Sequence, residues 1–210
     1  MKKKLYLASG NEHKRKEMQE ILPEYEIRIP SDDGLQFNAI EDGKTFFENS
    51  LIKARELWNL VHEPVIADDS GLCVEALGGE PGIYTSRYAG PDFMHGKPDG
   101  SKISQEEQNR LLIEQLNSTG SQNRKCHYTC AMVLLLNPDR FFVANETFEG
   151  ELIKSIDDQA GSGGFGYDPI VFLPEYGKTV AEISAEEKNR ISHRGKAVRA
   201  VQKILNSLTF

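Results

Sequence analysis

The sequence predicts an α/β domain with a mixed sheet, on three observations. Short apolar runs alternate with amphipathic stretches along most of the chain, the pattern of parallel strands joined through helices. Two long strand candidates, 125–136 and 140–152, meet at Asn137-Pro138-Asp139, a hairpin signal that adds an antiparallel pair. The 210 residues are 39% hydrophobic and 27% charged, a globular balance with length enough for one good-sized core. No internal repeat or low-complexity linker divides it.

Taken in order, Lys4–Ala8 is an apolar strand, broken by Ser9-Gly10-Asn11 before a helix from Glu12 to Leu22 whose inner stripe is Met18, Ile21 and Leu22. Glu26–Pro30 is a second short strand, followed by an irregular stretch to Gly43. Thr45-Phe46-Phe47-Glu48 fits a capping box, and Phe47, Leu51, Ala54, Trp58 and Val61 recur behind it at helical spacing, so Lys53 falls inside a helix of about four turns. Pro64–Ala67 is a strand that ends on Asp68-Asp69, with Leu72–Leu77 a candidate continuation. Gly78 to Gly100 is rich in Gly and Pro and reads as a long loop. Ser104-Gln105-Glu106-Glu107 opens another capped helix, with Leu111, Leu112 and Leu116 inward. Gly161–Gly166 is a glycine-dense loop and Val171-Phe172 a short strand. A final helix starts near His193, capped by Ser192, and carries Val198, Val201, Ile204 and Leu205.

Composition narrows the function classes. A formal net charge of −7 argues against a general nucleic-acid binder, but a small anionic ligand needs only a local group of lysines. No apolar run reaches the roughly 20 residues of a spanning helix, and MKKKLYLASGNEHK is too short in apolar residues for a secretory leader, so the chain reads as cytoplasmic and not membrane-bound. Cys73, Cys126 and Cys130 are an odd number without a CxxC pair, which suggests neither a disulfide framework nor a thiolate zinc site. Cys126 and Cys130 share a strand face and read as small core residues.

Five segments could carry chemistry. Ser9-Gly10-Asn11-Glu12-His13-Lys14 joins a glycine, a helix N-terminus and a lysine, which suits a phosphate; an ordinary Asn-capped helix with a solvent-facing lysine is the plain alternative. Asp68-Asp69-Ser70 places paired carboxylates at a strand end, where α/β proteins gather ligands; an Asx-type turn would explain one aspartate more readily than two. Glu41 alone is a loop charge, but with Asp69 it becomes a candidate ligand for Mg²⁺, which takes one or two carboxylates and completes its shell with water and phosphate. Gly161 to Gly166 spells GxGxxG, yet no buried strand precedes it and Tyr167-Asp168-Pro169 follows, so it is not a dinucleotide fingerprint. Its glycines would instead let a ligand approach, with Phe165 to stack on a base and Asp168 to bond its edge, or else form a plain turn with a packed Phe. Finally, His193 and Arg194 in a first helical turn oppose the helix dipole, which hints at a functional reason, although a solvated basic cluster with Lys188 and Lys196 is the ordinary alternative.

In this order the segments resemble a family, the inosine triphosphate pyrophosphatases, also called dITP/XTP pyrophosphatases. The resemblance runs from Ser9 to Lys196 and rests on S-G-N-x-x-K-x-x-E (9–17), E-x-G-x-T-F-x-E-N (41–49), L-I-K-A-R (51–55), A-D-D-S-G-L with G-G-x-P-G-I-Y-[TS]-x-R-Y-[AS]-G (67–90), G-G-F-G-Y-D-P (163–169), G-K-T-x-A-E (177–182) and E-K-x-x-I-S-H-R-G (187–195). It implies an elongated, two-lobed α/β protomer with its active site in the cleft between lobes, acting as a homodimer. The implied reaction is Mg²⁺-dependent hydrolysis of ITP, dITP and XTP to the monophosphate and pyrophosphate, which keeps deaminated purines out of DNA and RNA. By similarity Asp69 activates water and ligates Mg²⁺ with Glu41, and Ser70 contacts substrate. Ser9, Gly10, Asn11, Glu12, His13, Lys14 and Lys53 would hold the triphosphate, Lys14 and Lys53 also counting as catalytic. Phe165, Gly166, Tyr167, Asp168, Lys188, His193 and Arg194 would hold the nucleoside. Two competitors remain: a pyrophosphatase of the septum-formation-inhibitor-like family acting on modified pyrimidines, and a nucleotide sensor without catalysis. The 165–168 and 192–194 blocks favour the purine substrate, and the joint presence of Asp69, Glu41, Lys14 and Lys53 favours an enzyme.

Overall fold

Leu5 and Leu7 are buried on one side of the first strand and Tyr6 and Ala8 on the other, so β1 (Lys3–Leu7) is covered on both faces, as an unbroken apolar run requires. A computed structural model describes residues 2–208 of the chain. Helix α1 (Glu12–Ile21) returns the chain to β2 (Tyr25–Arg28), parallel to β1, and α2 (Phe46–Val61) returns it to β3 (Val65–Val74), parallel to β1 on its other side. After α3 (Gln105–Ser118) come β4 (Lys125–Asn137) and β5 (Arg140–Leu152), and then β6 (Val171–Leu173), β7 (Lys178–Thr179), α4 (Ala185–Ile191) and α5 (His193–Ser207). The strands form one mixed sheet in the order β2-β1-β3-β4-β5-β6-β7, with β5, β6 and β7 antiparallel.

The chain divides into two compact units, and β3, β4 and β5 contribute residues to both. The first comprises the chain up to Ser70, Cys130–Glu146 and the chain from Asn189. Its core has two layers. Leu5, Leu7, Ile66, Met132 and Leu134 pack with Met18 of α1 and Val198, Val201 and Leu205 of α5; Tyr6, Val65, Ala67, Val133 and Leu135 pack with Ala54 and Leu57 of α2. Each such fully buried Leu, Ile or Val contributes about 1.5–3 kcal/mol by leaving water. The second unit, Gly71–Thr129 with Thr147–Lys188, buries Leu72, Val74, Tyr88, Leu112, Leu116, Leu152 and Ile170.

The predicted caps are present. Asn11 accepts from the N–H groups of His13 and Lys14, Thr45 from Glu48, Ser104 from Glu107 and Ser192 from Gly195. The Thr45 box is shifted by one residue, because Glu48 accepts from the N–H of Lys44 (2.6 Å), just outside the cap. Phe47, expected in the inner stripe of α2, is an exposed first-turn residue. Short 3-10 turns at Pro30–Asp33, Glu75–Leu77, Gly82–Tyr84 and Pro91–Phe93 occupy stretches that read as strand end or loop. The 92–102 stretch is tied to its surroundings through His95, whose ring stacks on Tyr84 at 3.8 Å between centroids. All three cysteines are free and buried, and burial pushes the Cys126 and Cys130 thiols far above their ordinary value, which suits inert core residues. Among the described residues no helix is long and apolar enough to cross a membrane.

Candidate active site

The main correction concerns β3. It does not end on Asp68-Asp69 but runs through them from Val65 to Val74, so both carboxylates lie in the middle of a strand. Side chains alternate along a strand, and the two aspartates therefore point to opposite faces of the sheet. Asp68 shares the face of Ile66, under α1 and α5, and Asp69 that of Val65 and Ala67, under α2. This explains two adjacent carboxylates better than one shared turn, because each meets a different helix and a different lysine.

Asp68 is fully buried. Lys14 Nζ of α1 lies 2.9 Å from Oδ2 and donates to Oδ1 at 3.0 Å, and Arg194 Nε of α5 donates to Oδ2 at 3.3 Å. Arg194 is itself 5% exposed and also donates to Glu17 at 2.8 Å and to Ser70 Oγ at 3.1 Å. Burial alone would raise the Asp68 carboxyl, but the Lys14 and Arg194 charges outweigh it and hold the group well below the usual carboxylate range. Likewise desolvation disfavours the Arg194 cation, and Asp68 and Glu17 more than restore it. The unfavourable placement of Arg194 in a helical first turn thus has its reason in these carboxylates. Gly195 follows because a Cβ there would sit 1.9 Å from the Asn189 carbonyl oxygen.

On the other face, α2 presents Asn49 and Lys53, one turn apart. Asn49 Nδ2 donates to Asp69 Oδ2 at 3.0 Å, and its own Oδ1 accepts from the Gly43 N–H at 2.9 Å. Lys53 Nζ lies 2.7 Å from Glu41 Oε2 and 3.6 Å from Asp69 Oδ1. Burial raises the Asp69 carboxyl above its ordinary value, and Lys53 only partly offsets that. Desolvation works against the Lys53 cation, but Asp69, Asp68 and Glu41 together keep it above the ordinary lysine value. Two carboxylates thus converge on one cation. These hard oxygens fit Mg²⁺, which needs one or two carboxylates and takes its remaining ligands from water and phosphate.

The other sequence candidates fall in three places. Ser9 accepts from the Asn11 N–H at 3.1 Å, so the 9–11 turn is internally bonded and Asn11 occupies two of the helix N–H groups expected to be open for an anion. Glu12 and His13 line an open groove with Arg15, Lys16, Arg28 and Asp32, to which Lys14 does not contribute. His193 is buried at the start of α5. In the second unit Phe165 is 53% exposed, whereas Tyr167 is buried with its hydroxyl donating to the Thr85 carbonyl at 3.0 Å. Gly166 accepts from Asn109 through its carbonyl, and Lys188 lies 5.6 Å from the Phe165 ring centroid. Glu17 and Asn49 close two of the quoted motifs but were given no role from sequence, and Tyr128 was not singled out at all. Asn49 had a signal, its place in the quoted motif one turn before Lys53; Tyr128 had none.

Fold and site together define a class: an α/β protein that sets carboxylates, a buried lysine and a half-buried one around a strand, the equipment of metal-assisted phosphoryl chemistry. The chain belongs to the Ham1 family, whose model matches residues 5–204. It is 45% identical over 202 residues to a dITP/XTP pyrophosphatase of Treponema denticola, covering 96% of this chain and 98% of that one. A dITP/XTP pyrophosphatase of Leptospira interrogans is 42% identical over 99% of both chains. In three dimensions the chain is similar to a HAM1 protein from Coxiella burnetii, with a TM-score of 0.86, 33% identity and coverage of 98% and 100%.

Proposed function

We propose that this protein hydrolyses dITP, ITP and XTP to the nucleoside monophosphate and pyrophosphate. The reading is carried by its near end-to-end relation to proteins named for that activity, and the Glu41, Lys53 and Asp69 geometry supports it. Asp69 takes a proton from the attacking water, and Asn49 holds it by one carboxylate oxygen. Glu41 and Asp69 would hold Mg²⁺, which when bound neutralises phosphate charge and polarises the P–O bonds. Lys53 and Lys14 hold the triphosphate with the Ser9 to His13 segment, and Ser70 contacts the substrate. The segment Phe165 to Asp168 holds the nucleoside, with Lys188, His193 and the remaining N–H groups of Arg194.

A 6-keto purine offers an acceptor where adenine offers an amino donor. His193 and Arg194 carry donors, so adenine sets an amino donor against them where a 6-keto purine sets an acceptor, a mismatch of about 1–3 kcal/mol per buried group. Two copies associate as a homodimer, and the enzyme works in the cytoplasm on the free nucleotide pool. The test is product analysis by ion exchange with purified protein, Mg²⁺ and a panel of ITP, XTP, GTP, ATP and dTTP. IMP and XMP with pyrophosphate, and little from ATP, GTP or dTTP, are the expected products. Orthophosphate with diphosphates would reassign the cleaved bond, and binding of ITP without cleavage would favour a sensor.

A further inference from the structure

Asp168 stands next to an exposed aromatic ring, yet its carboxylate is turned inward and is only 3% exposed as a residue. Oδ2 accepts from the backbone N–H of Phe165 at 2.8 Å and from Lys188 Nζ at 2.5 Å. Oδ1 accepts from the Tyr128 hydroxyl at 3.1 Å. Tyr128 is a buried residue of β4 whose ring stacks on Phe148 with centroids 6.3 Å apart, so packing sets the direction of its phenol. Burial, and then the Asp168 charge, push that hydroxyl well above its ordinary value, which keeps it a proton donor. Gly164 completes the fit, since a Cβ there would lie 1.9 Å from Asp168 Oδ2.

We propose that Asp168 is a positioning residue that does not touch the base: anchored from within by Tyr128, it fixes the Phe165 backbone and the Lys188 ammonium, and these two meet the nucleoside. The inference rests on the nucleotide reading above and deepens it. A backbone N–H, a lysine and a phenol take three of the roughly four acceptor sites of this carboxylate, and at 3% exposure it has almost no surface to offer a base edge. What it does instead is set one distance. It holds Lys188 near the Phe165 ring while Phe165 stays exposed for stacking.

The full-length Asp168→Asn variant tests this with three readouts: the KM for ITP, the KM for purine riboside triphosphate, which lacks the 6-keto group, and the inhibition constant of tripolyphosphate, which lacks a nucleoside. Both KM values should rise by about tenfold, with kcat and the tripolyphosphate constant within about twofold of wild type. Asp168→Asn combined with Lys188→Gln should be little worse than Lys188→Gln alone, because the two act as one unit. A rise confined to ITP would mean direct reading of the base edge and would overturn the proposal; so would equal rises in KM and in the tripolyphosphate constant, or additive variants. If Asp168→Asn does not fold, Tyr128→Phe carries the test with a smaller rise in both KM values, and an unchanged KM there overturns the proposal. A wild type that leaves ITP intact removes the functional reading and this inference with it, whereas a wild type that cleaves ITP confines any failure to Asp168.

Discussion

Asp68 in the first unit and Asp168 in the second are both buried aspartates against a lysine, yet they are built differently. Asp68 meets two cations, Lys14 and Arg194, and the second of these is shared with Glu17. Asp168 meets one cation, one backbone N–H and one phenol. The first is a balance of charges that holds α1, β3 and α5 together; the second is a hydrogen-bond hub that shapes a loop. Removing a carboxylate therefore does different damage in the two places. At Asp68 it leaves the buried Arg194 and the half-buried Lys14 without the anion they share, and at Asp168 it frees a short segment beside an exposed ring.

Asp68→Ala should show the largest effect, about 3–5 kcal/mol of lost stability in urea unfolding, since a buried charge network loses its central anion. A loss under about 1 kcal/mol would mean that Lys14 and Arg194 reach water, and the contrast with Asp168 would collapse. Asp69, the next residue but on the opposite face, should separate rate from stability. Asp69→Asn should lower kcat for ITP by about 10²–10⁴ while the urea midpoint moves little, and near-normal turnover would remove it as the base.

The pH dependence sharpens the same comparison. The Asp68 carboxyl is held below its unfolded value, so its stabilisation is present above that value, about pH 4, and is lost as pH falls further toward the native value. The stability advantage of the wild type over Asp68→Asn should therefore be flat above about pH 5 and shrink progressively below about pH 4. An advantage that persists unchanged well below that range would show that the carboxylate charge is not what stabilises the site. Phe165→Ala should have the smallest effect on the fold, within about 0.5 kcal/mol, because the residue is 53% exposed. Its KM for ITP should nevertheless rise by about 5- to 100-fold from lost stacking, and an unchanged KM would take the ring out of the site.

Much of the fold was legible because strong local signals and tertiary packing agree. The apolar run of β1, the caps at Asn11, Thr45, Ser104 and Ser192, and the hairpin at Asn137-Pro138-Asp139 all lie where spacing and cap chemistry place them. Helix α4 and strand β7 were missed because they are short: seven residues with no apolar stripe and two residues paired only to β6 give no periodicity to read. The interruption of β3 was misjudged for another reason. Two aspartates in a strand violate strand propensity and argue for its end, until lysines on the helices packed against it supply the missing charge.

By itself the sequence determined which residues could take part: a strand with two acidic side chains, helices carrying Lys14, Lys53 and Arg194, and a glycine loop before Phe165. It also determined that Asp68 and Asp69 would diverge once both lie in one strand, because the period of two is a property of the backbone. Only the tertiary structure decided which cation each carboxylate meets and that Asp168 turns inward to Tyr128. Those pairings join residues as far apart as 126 positions, in Arg194 with Asp68. They depend on the order in which strands and helices stack, and no local propensity carries that order.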